Sequence, residues 1–200
     1  MLLLLLACAS SDDSATRTDL TCAERFSGGA PAAESDIVAL VASAREGFFP
    51  TLSAVTVEVT TMESDDSYFV ANLDLATLSE APLERVYRVL YNPAMFADPP
   101  SREAAGAIII HELKHILDYT GMASDELIDF GLWYANAAGE ELADYEKQTD
   151  EYALEAGCAA GLSAYREWVY AHIPEEDLKE KMSTYYTPAE IAAWVAENEP

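Results

Sequence analysis

Nearly every residue from 104 to 117 is apolar, yet His111-Glu112-Leu113-Lys114-His115 sets two imidazoles and a carboxylate in the middle of that run. Ala104, Ala105, Ala107, Ile108, Ile109, Ile110, Leu113, Ile116 and Leu117 surround a helical axis rather than forming a stripe, so this helix should be central to the fold. Ser101 with Glu103 after Pro99-Pro100 supplies its start, and Gly121 ends it after about Tyr119. Histidines four residues apart project from one helical face about one turn apart, so His111 and His115 can converge on one ion. Glu112 points to the neighbouring sector, where a carboxylate meets water on a metal without being a ligand. The chain has three histidines in all. Burying two of them beside an unpartnered carboxylate is costly, and a bound metal removes most of the penalty.

A catalytic zinc takes three protein ligands and leaves a position for water. A histidine six residues beyond His115 is missing, because that position is Gly121. His172, near the end of an expected long helix and close to Pro174, is a weaker third ligand than a downstream carboxylate. In the segment Tyr145 to Glu155, Glu146 and Asp150 are four apart and share a face. One can bind metal while the other hydrogen-bonds a ligating imidazole. Glu146 is preferred, with Glu141, Asp150 and His172 as alternatives. Glu140, Glu141, Asp144, Glu151 and Glu155 crowd the same region as a solvated acidic face.

The remaining pattern predicts an α+β chain with a small N-terminal mixed sheet, the central helix and a mostly helical C-terminal half. After Ser27-Gly28-Gly29-Ala30-Pro31, the spacing of Ile37, Leu40, Val41 and Ala44 predicts an amphipathic helix from a Ser35 N-cap to about Phe48. Val55 to Thr60 alternates β-branched apolar and polar residues as a half-buried strand does. Tyr68 to Ala71 and Val86 to Tyr91 are two further strands, the last stopped by Asn92-Pro93. Further helices are expected over 124–137, 140–171, 175–184 and 188–198. With 200 residues and 50% hydrophobic content, one core and a single domain over 21–200 are expected.

The order HExxH, then Glu146-x-x-x-Asp150, then Tyr152-Ala153-Leu154-Glu155 resembles the gluzincin zinc peptidases whose active site reads HExxH...ExxxD. The resemblance covers roughly Ala104 to Gly157 and implies a zincin-like fold. It further implies His111, His115 and Glu146 as zinc ligands, Glu112 as catalytic base and Asp150 as the group orienting His111. Lys114 is charged where the extended motif usually has an uncharged residue, and the interval from His115 to Glu146 is short, so the implied version is compact. Gluzincins often supply a Tyr or His as a second donor to the oxyanion. Tyr185, Tyr186, Tyr165 and His172 fit that description here. Extended peptides commonly bind along a sheet edge just before the metal helix, and the strand Val86 to Tyr91 is placed for that by order along the chain. The loop Asn92 to Pro100 is the alternative cleft wall, and Leu132, Trp133 and Tyr134 are either pocket lining or core.

The first residues, Met1 to Leu6, form an apolar run too short to span a bilayer. Leu5-Leu6-Ala7-Cys8 resembles the lipobox of bacterial lipoproteins, although no basic residue precedes it. The resemblance implies a signal over 1–7, lipidation of Cys8, a flexible tether over 8–20, and a place in the cell envelope, at the outer membrane given Ala9. Removing Cys8 from three cysteines leaves Cys22 and Cys158, an even number in an oxidising compartment, so a Cys22 to Cys158 disulfide is expected.

The 36 acidic and 11 basic side chains give a formal charge of -25, which repels phosphate backbones and excludes nucleic acid as a partner class. The expected partners are a peptide or protein substrate and the membrane through the lipid anchor, with a monomer favoured. The reading that follows is a zinc-dependent endopeptidase of the cell envelope. Its competitors are a hydrolase of peptidoglycan cross-links and a noncatalytic lipoprotein that uses the same scaffold to bind a partner.

Overall fold

A computed structural model describes residues 20–198, so the signal, most of the tether and Cys8 lie outside the described residues. The chain is α+β, with a three-stranded mixed sheet near its start and a mostly helical second half. A single turn, α1 (Cys22–Arg25), precedes α2 (Glu34–Phe48). The start of α2 is capped differently from expectation. Asp36, inside the first turn, reaches back to accept the N–H groups of Ala32 and Ala33 at 2.9 and 3.2 Å, so the helix begins before Ser35.

Strands β1 (Thr56–Thr61), β2 (Phe69–Leu73) and β3 (Val86–Tyr91) form a sheet in the order β1-β3-β2. β3 runs parallel to β1 and antiparallel to β2, with Ala71 opposite Val89. The expectation that Val86 to Tyr91 offers a free edge is therefore corrected, because β3 is the middle strand and β2 is an edge. Asn92 donates to the Tyr68 carbonyl and Asp74 to the Val86 carbonyl. Even-numbered positions of β2 thus turn their backbone toward β3, and Phe69, Ala71 and Leu73 turn theirs outward.

α3 (Arg102–Thr120) is capped by Ser101, whose hydroxyl accepts the Ala104 N–H at 3.1 Å. It is buried from Ala104 to Leu113 and again at His115 and Ile116. Such a helix must be enclosed on all sides. β2 and β3, α2, α5 (Glu140–Glu155) and α6 (Ala159–His172) all pack against it. The single helix expected over 140–171 is instead two. Gly157 has φ +75°, a conformation that L side chains rarely adopt, and the chain turns there between α5 and α6. The turn redirects α6 onto α3 at a close approach. A Cβ on Gly161 would stand 2.7 Å from the Glu103 carbonyl oxygen.

α4 (Ser124–Tyr134) ends three residues short of expectation, while α7 (Glu175–Thr184) and α8 (Pro188–Asn198) follow the predicted bounds. The buried Arg85 donates to the carbonyls of Glu80 and Met122 and to the Ser124 hydroxyl, tying the start of β3 to the start of α4. Cys22 and Cys158 are bonded with their Cα atoms 5.1 Å apart, joining α1 to the start of α6. No helix among the described residues is long and apolar enough to cross a membrane.

Candidate metal centre and cleft

One turn of α3 brings His111 Nε2 and His115 Nε2 to 3.1 Å from each other. α5 crosses beneath them and delivers the Glu146 Oε2 atom to 3.2 Å from the first and 3.4 Å from the second. All three residues are buried, and this group can hold a metal ion. Glu146 Oε2 is fully buried and has no hydrogen bond, although two imidazole nitrogens stand near it. A buried carboxylate oxygen facing two ring nitrogens is an arrangement that suits a cation.

The outer nitrogens of both rings are occupied. His111 Nδ1 lies 2.8 Å from Asp150 Oδ1, and His115 Nδ1 lies 2.9 Å from the Tyr145 hydroxyl. A carboxylate can only accept, so His111 carries its proton on Nδ1 and turns the Nε2 lone pair inward in the neutral ring. Asp150 is itself held on three sides. Its Oδ1 also accepts from the buried Arg166 at 2.7 Å, and its Oδ2 accepts the Tyr186 backbone N–H at 3.0 Å. The other oxygen of Glu146, Oε1, accepts the Tyr134 hydroxyl at 2.6 Å.

Burial alone lowers the His111 pKa, but the hydrogen bond to Asp150, the close Glu146 carboxylate and the other nearby charges outweigh it and push the value up to about 10 in the metal-free protein. Burial likewise raises the carboxyl pKa of Glu146, and the two histidines overcome it and hold the group well below the ordinary carboxylate range. Asp150 is depressed against its burial by Arg166 and His111. The centre thus gathers buried carboxylates around two imidazoles, a set that can hold a cation. Burial, reinforced by neighbouring carboxylates, pushes the phenols of Tyr119, Tyr134 and Tyr145 up, so they stay protonated.

Above the three ligand atoms lies a cavity of about 280 Å³ lined by Glu112, Tyr134, Tyr165, Arg166, Lys181 and Tyr185 and walled on one side by β2. Glu112 Oε2 accepts the outward Ala71 N–H at 2.6 Å. The Tyr185 ring stands 5.8 Å from the His111 ring, beneath the Arg166 guanidinium at 4.4 Å. Two donors at this cavity, Arg166 Nε and the Tyr170 hydroxyl, are buried with no partner among the described residues.

The residues named from sequence divide clearly. His111, Glu112, His115, Glu146 and Asp150 come together, and Tyr165 and Tyr185 line the cavity. His172 lies elsewhere, stacked on Trp168 and 3.2 Å from Asp98. Tyr186 turns its hydroxyl to Glu151 and offers only its backbone. Glu141 accepts the exposed Trp133 indole N–H. The segment after Asn92 turns away from the cavity, with Met95 buried and the Asp98 carbonyl accepting from Trp168. Arg166 and Tyr145 were missed, and Tyr134, named only as pocket lining or core, both lines the cavity and donates to Glu146. Each is an ordinary residue on a helix other than α3, and no spacing rule links it to the histidines. A comparison with known proteins finds no matching family model, no matching curated protein and no matching solved structure.

Proposed function

We propose that the chain is a zinc-dependent peptidase with a zincin-like arrangement, exported and anchored to the cell envelope through Cys8. The observation that carries the reading is the triangle of ligand atoms, with edges of 3.1, 3.2 and 3.4 Å. A tetrahedral ion with ligands at the usual zinc distances requires separations of about 3.3 Å. Two imidazoles and one carboxylate are also a donor set that zinc takes in open catalytic sites. The lipobox-like segment and a disulfide between Cys22 and Cys158 both suit an oxidising compartment.

When bound by His111, His115 and Glu146, zinc supplies a water of lowered pKa and polarises a peptide carbonyl. Glu112 takes the proton as water attacks and passes it to the leaving amine. Its Oε2 is held over the cavity by the Ala71 N–H. Asp150 fixes the tautomer and orientation of His111. Tyr185, a neutral donor lining the cleft, would bind the oxyanion. An extended peptide meets the edge of β2 at the outward Phe69 backbone and the Ala71 carbonyl, the Ala71 N–H being held by Glu112.

A noncatalytic metal scaffold has no use for a carboxylate held at the mouth of the centre, which favours the catalytic reading. The test is cleavage of casein and of cross-linked peptidoglycan by wild type and Glu112→Gln, with zinc measured in both. Retained zinc with a loss of at least about 10²-fold in cleavage is expected of the variant. Undiminished cleavage by the variant, or no cleavage of either substrate by zinc-loaded wild type, overturns the reading.

A further inference from the structure

The part of the metal cleft lined by α6 and α7 carries two cations, in a chain whose formal charge is -25. Arg166 and Lys181 both lie against the Tyr185 ring, with the guanidinium carbon 4.4 Å and the ammonium nitrogen 5.8 Å from its centre. The same ring stands 5.8 Å from that of His111, so the positive charge is one aromatic ring away from the ligand atoms. Arg166 is 4% exposed and gives one nitrogen to Asp150, while its Nε–H has no acceptor among the described residues. Tyr170, four residues further along α6 and so on the same face, has a buried hydroxyl that is equally unpartnered. Native proteins leave few buried donors in that condition. Lys181 is loosely held as well. Lys114 and Lys147 approach carboxylate oxygens at 2.6 and 2.7 Å, whereas Lys181 stands 3.8 Å from Asp66 and 3.3 Å from the Ser67 hydroxyl.

A guanidinium, an ammonium and a phenol lining one cavity are a donor set for a carboxylate. Asp150 balances the guanidinium charge, so Lys181 supplies the net attraction, and the Arg166 Nε–H and the Tyr170 hydroxyl supply directed donors. Two acids line the same cavity, but Glu112 is engaged by the Ala71 N–H and the Asp66 side chain is 52% exposed. We infer that this wall of the cleft is a carboxylate-binding subsite, in which Lys181, Arg166 and Tyr170 hold an anionic group of the peptide substrate. Two sources share that chemistry: the α-carboxylate that ends a peptide and the side chain of an internal acidic residue.

The inference rests on the peptidase reading above, and its test separates the two. Acetylated peptides of increasing length are offered to zinc-loaded wild type with a free carboxyl terminus or as the amide. A second series, amidated throughout, carries Glu or Gln at each position in turn. Cleavage is followed with wild type, and binding to zinc-loaded Glu112→Gln is measured by calorimetry. The carboxylate member of at least one series is expected to show about 10- to 100-fold higher kcat/KM and affinity than its neutral counterpart. A preference for free termini assigns the subsite to the chain end, a preference for Glu assigns it to an acidic side chain, and either supports the inference. Lys181→Met and Tyr170→Phe are each expected to shrink that ratio, Tyr170→Phe without lowering the melting temperature, because the hydroxyl it removes has no partner among the described residues. Equal values for carboxylate and neutral members in both series overturn the inference, and cleavage of both leaves the peptidase reading intact. Carboxylate-dependent binding to Glu112→Gln without cleavage by wild type supports the subsite and overturns the peptidase reading. A preference undiminished by both substitutions overturns the assignment to these residues.

Discussion

Asp150 accepts from an imidazole, a guanidinium and a backbone amide at once, so its two oxygens fix the angle at which His111 meets a metal. Asp150→Asn keeps the volume but removes the charge and offers an N–H where an acceptor is needed. It is expected to weaken zinc binding about 10- to 100-fold, as read by titration against a competing chelator. The same surroundings set a pH dependence. In the metal-free protein the His111 pKa is raised from 6.5 to about 10. The stabilisation from its charge is therefore full below about pH 6.5 and is lost as the pH rises through 10, so the melting temperature of metal-free protein should fall over that window. Zinc needs the Nε2 lone pair, so its binding at pH 7 should release a proton from His111, seen by calorimetry in buffers of different ionisation enthalpy. The positions of His111, His115, Glu112 and the Glu146 and Asp150 pair were legible in sequence because helical spacing carries them. Arg166 was not legible, since its link to Asp150 runs between two helices that meet only after the chain turns at Gly157.

At the scale of elements, the central helix and the strands were readable from periodicity, and their neighbours were not. Alternation in Val86 to Tyr91 shows a strand with one buried face, as the structure has it. Alternation says nothing about which strands flank it, because strand order is settled by long-range pairing. That is why the free edge was assigned to β3 rather than β2. The α5 to α6 boundary shows the converse: the apolar pattern continues through residues 153–162, and a single glycine at φ +75° overrides it. Gly161 then permits the contact that brings Arg166 under Asp150. Gly161→Ala would set a Cβ against a backbone carbonyl that cannot turn aside. It is expected to destabilise the chain by about 1–3 kcal/mol in urea unfolding and to weaken zinc binding through the displaced α6.

The whole molecule is built around a centre that needs α3, α5 and α6 held together, and the disulfide serves that assembly from the far end. Cys22 and Cys158 are 136 residues apart in sequence, so their bond closes most of the domain into one loop. Replacing both by Ser should cost about 2–5 kcal/mol of stability in urea unfolding, read on zinc-free protein so that metal loss does not contribute. The formal charge of -25 would repel polyanions, while the buried cluster of Glu146, Asp150 and Glu112 concentrates negative charge at a group that can hold one cation. The most direct test of that claim is the zinc content of the dialysed soluble domain, compared between wild type and Glu146→Ala. The account predicts a single zinc ion per chain in wild type and its loss from the variant. Wild type without stoichiometric zinc, or a variant that holds it as tightly as wild type, would contradict it.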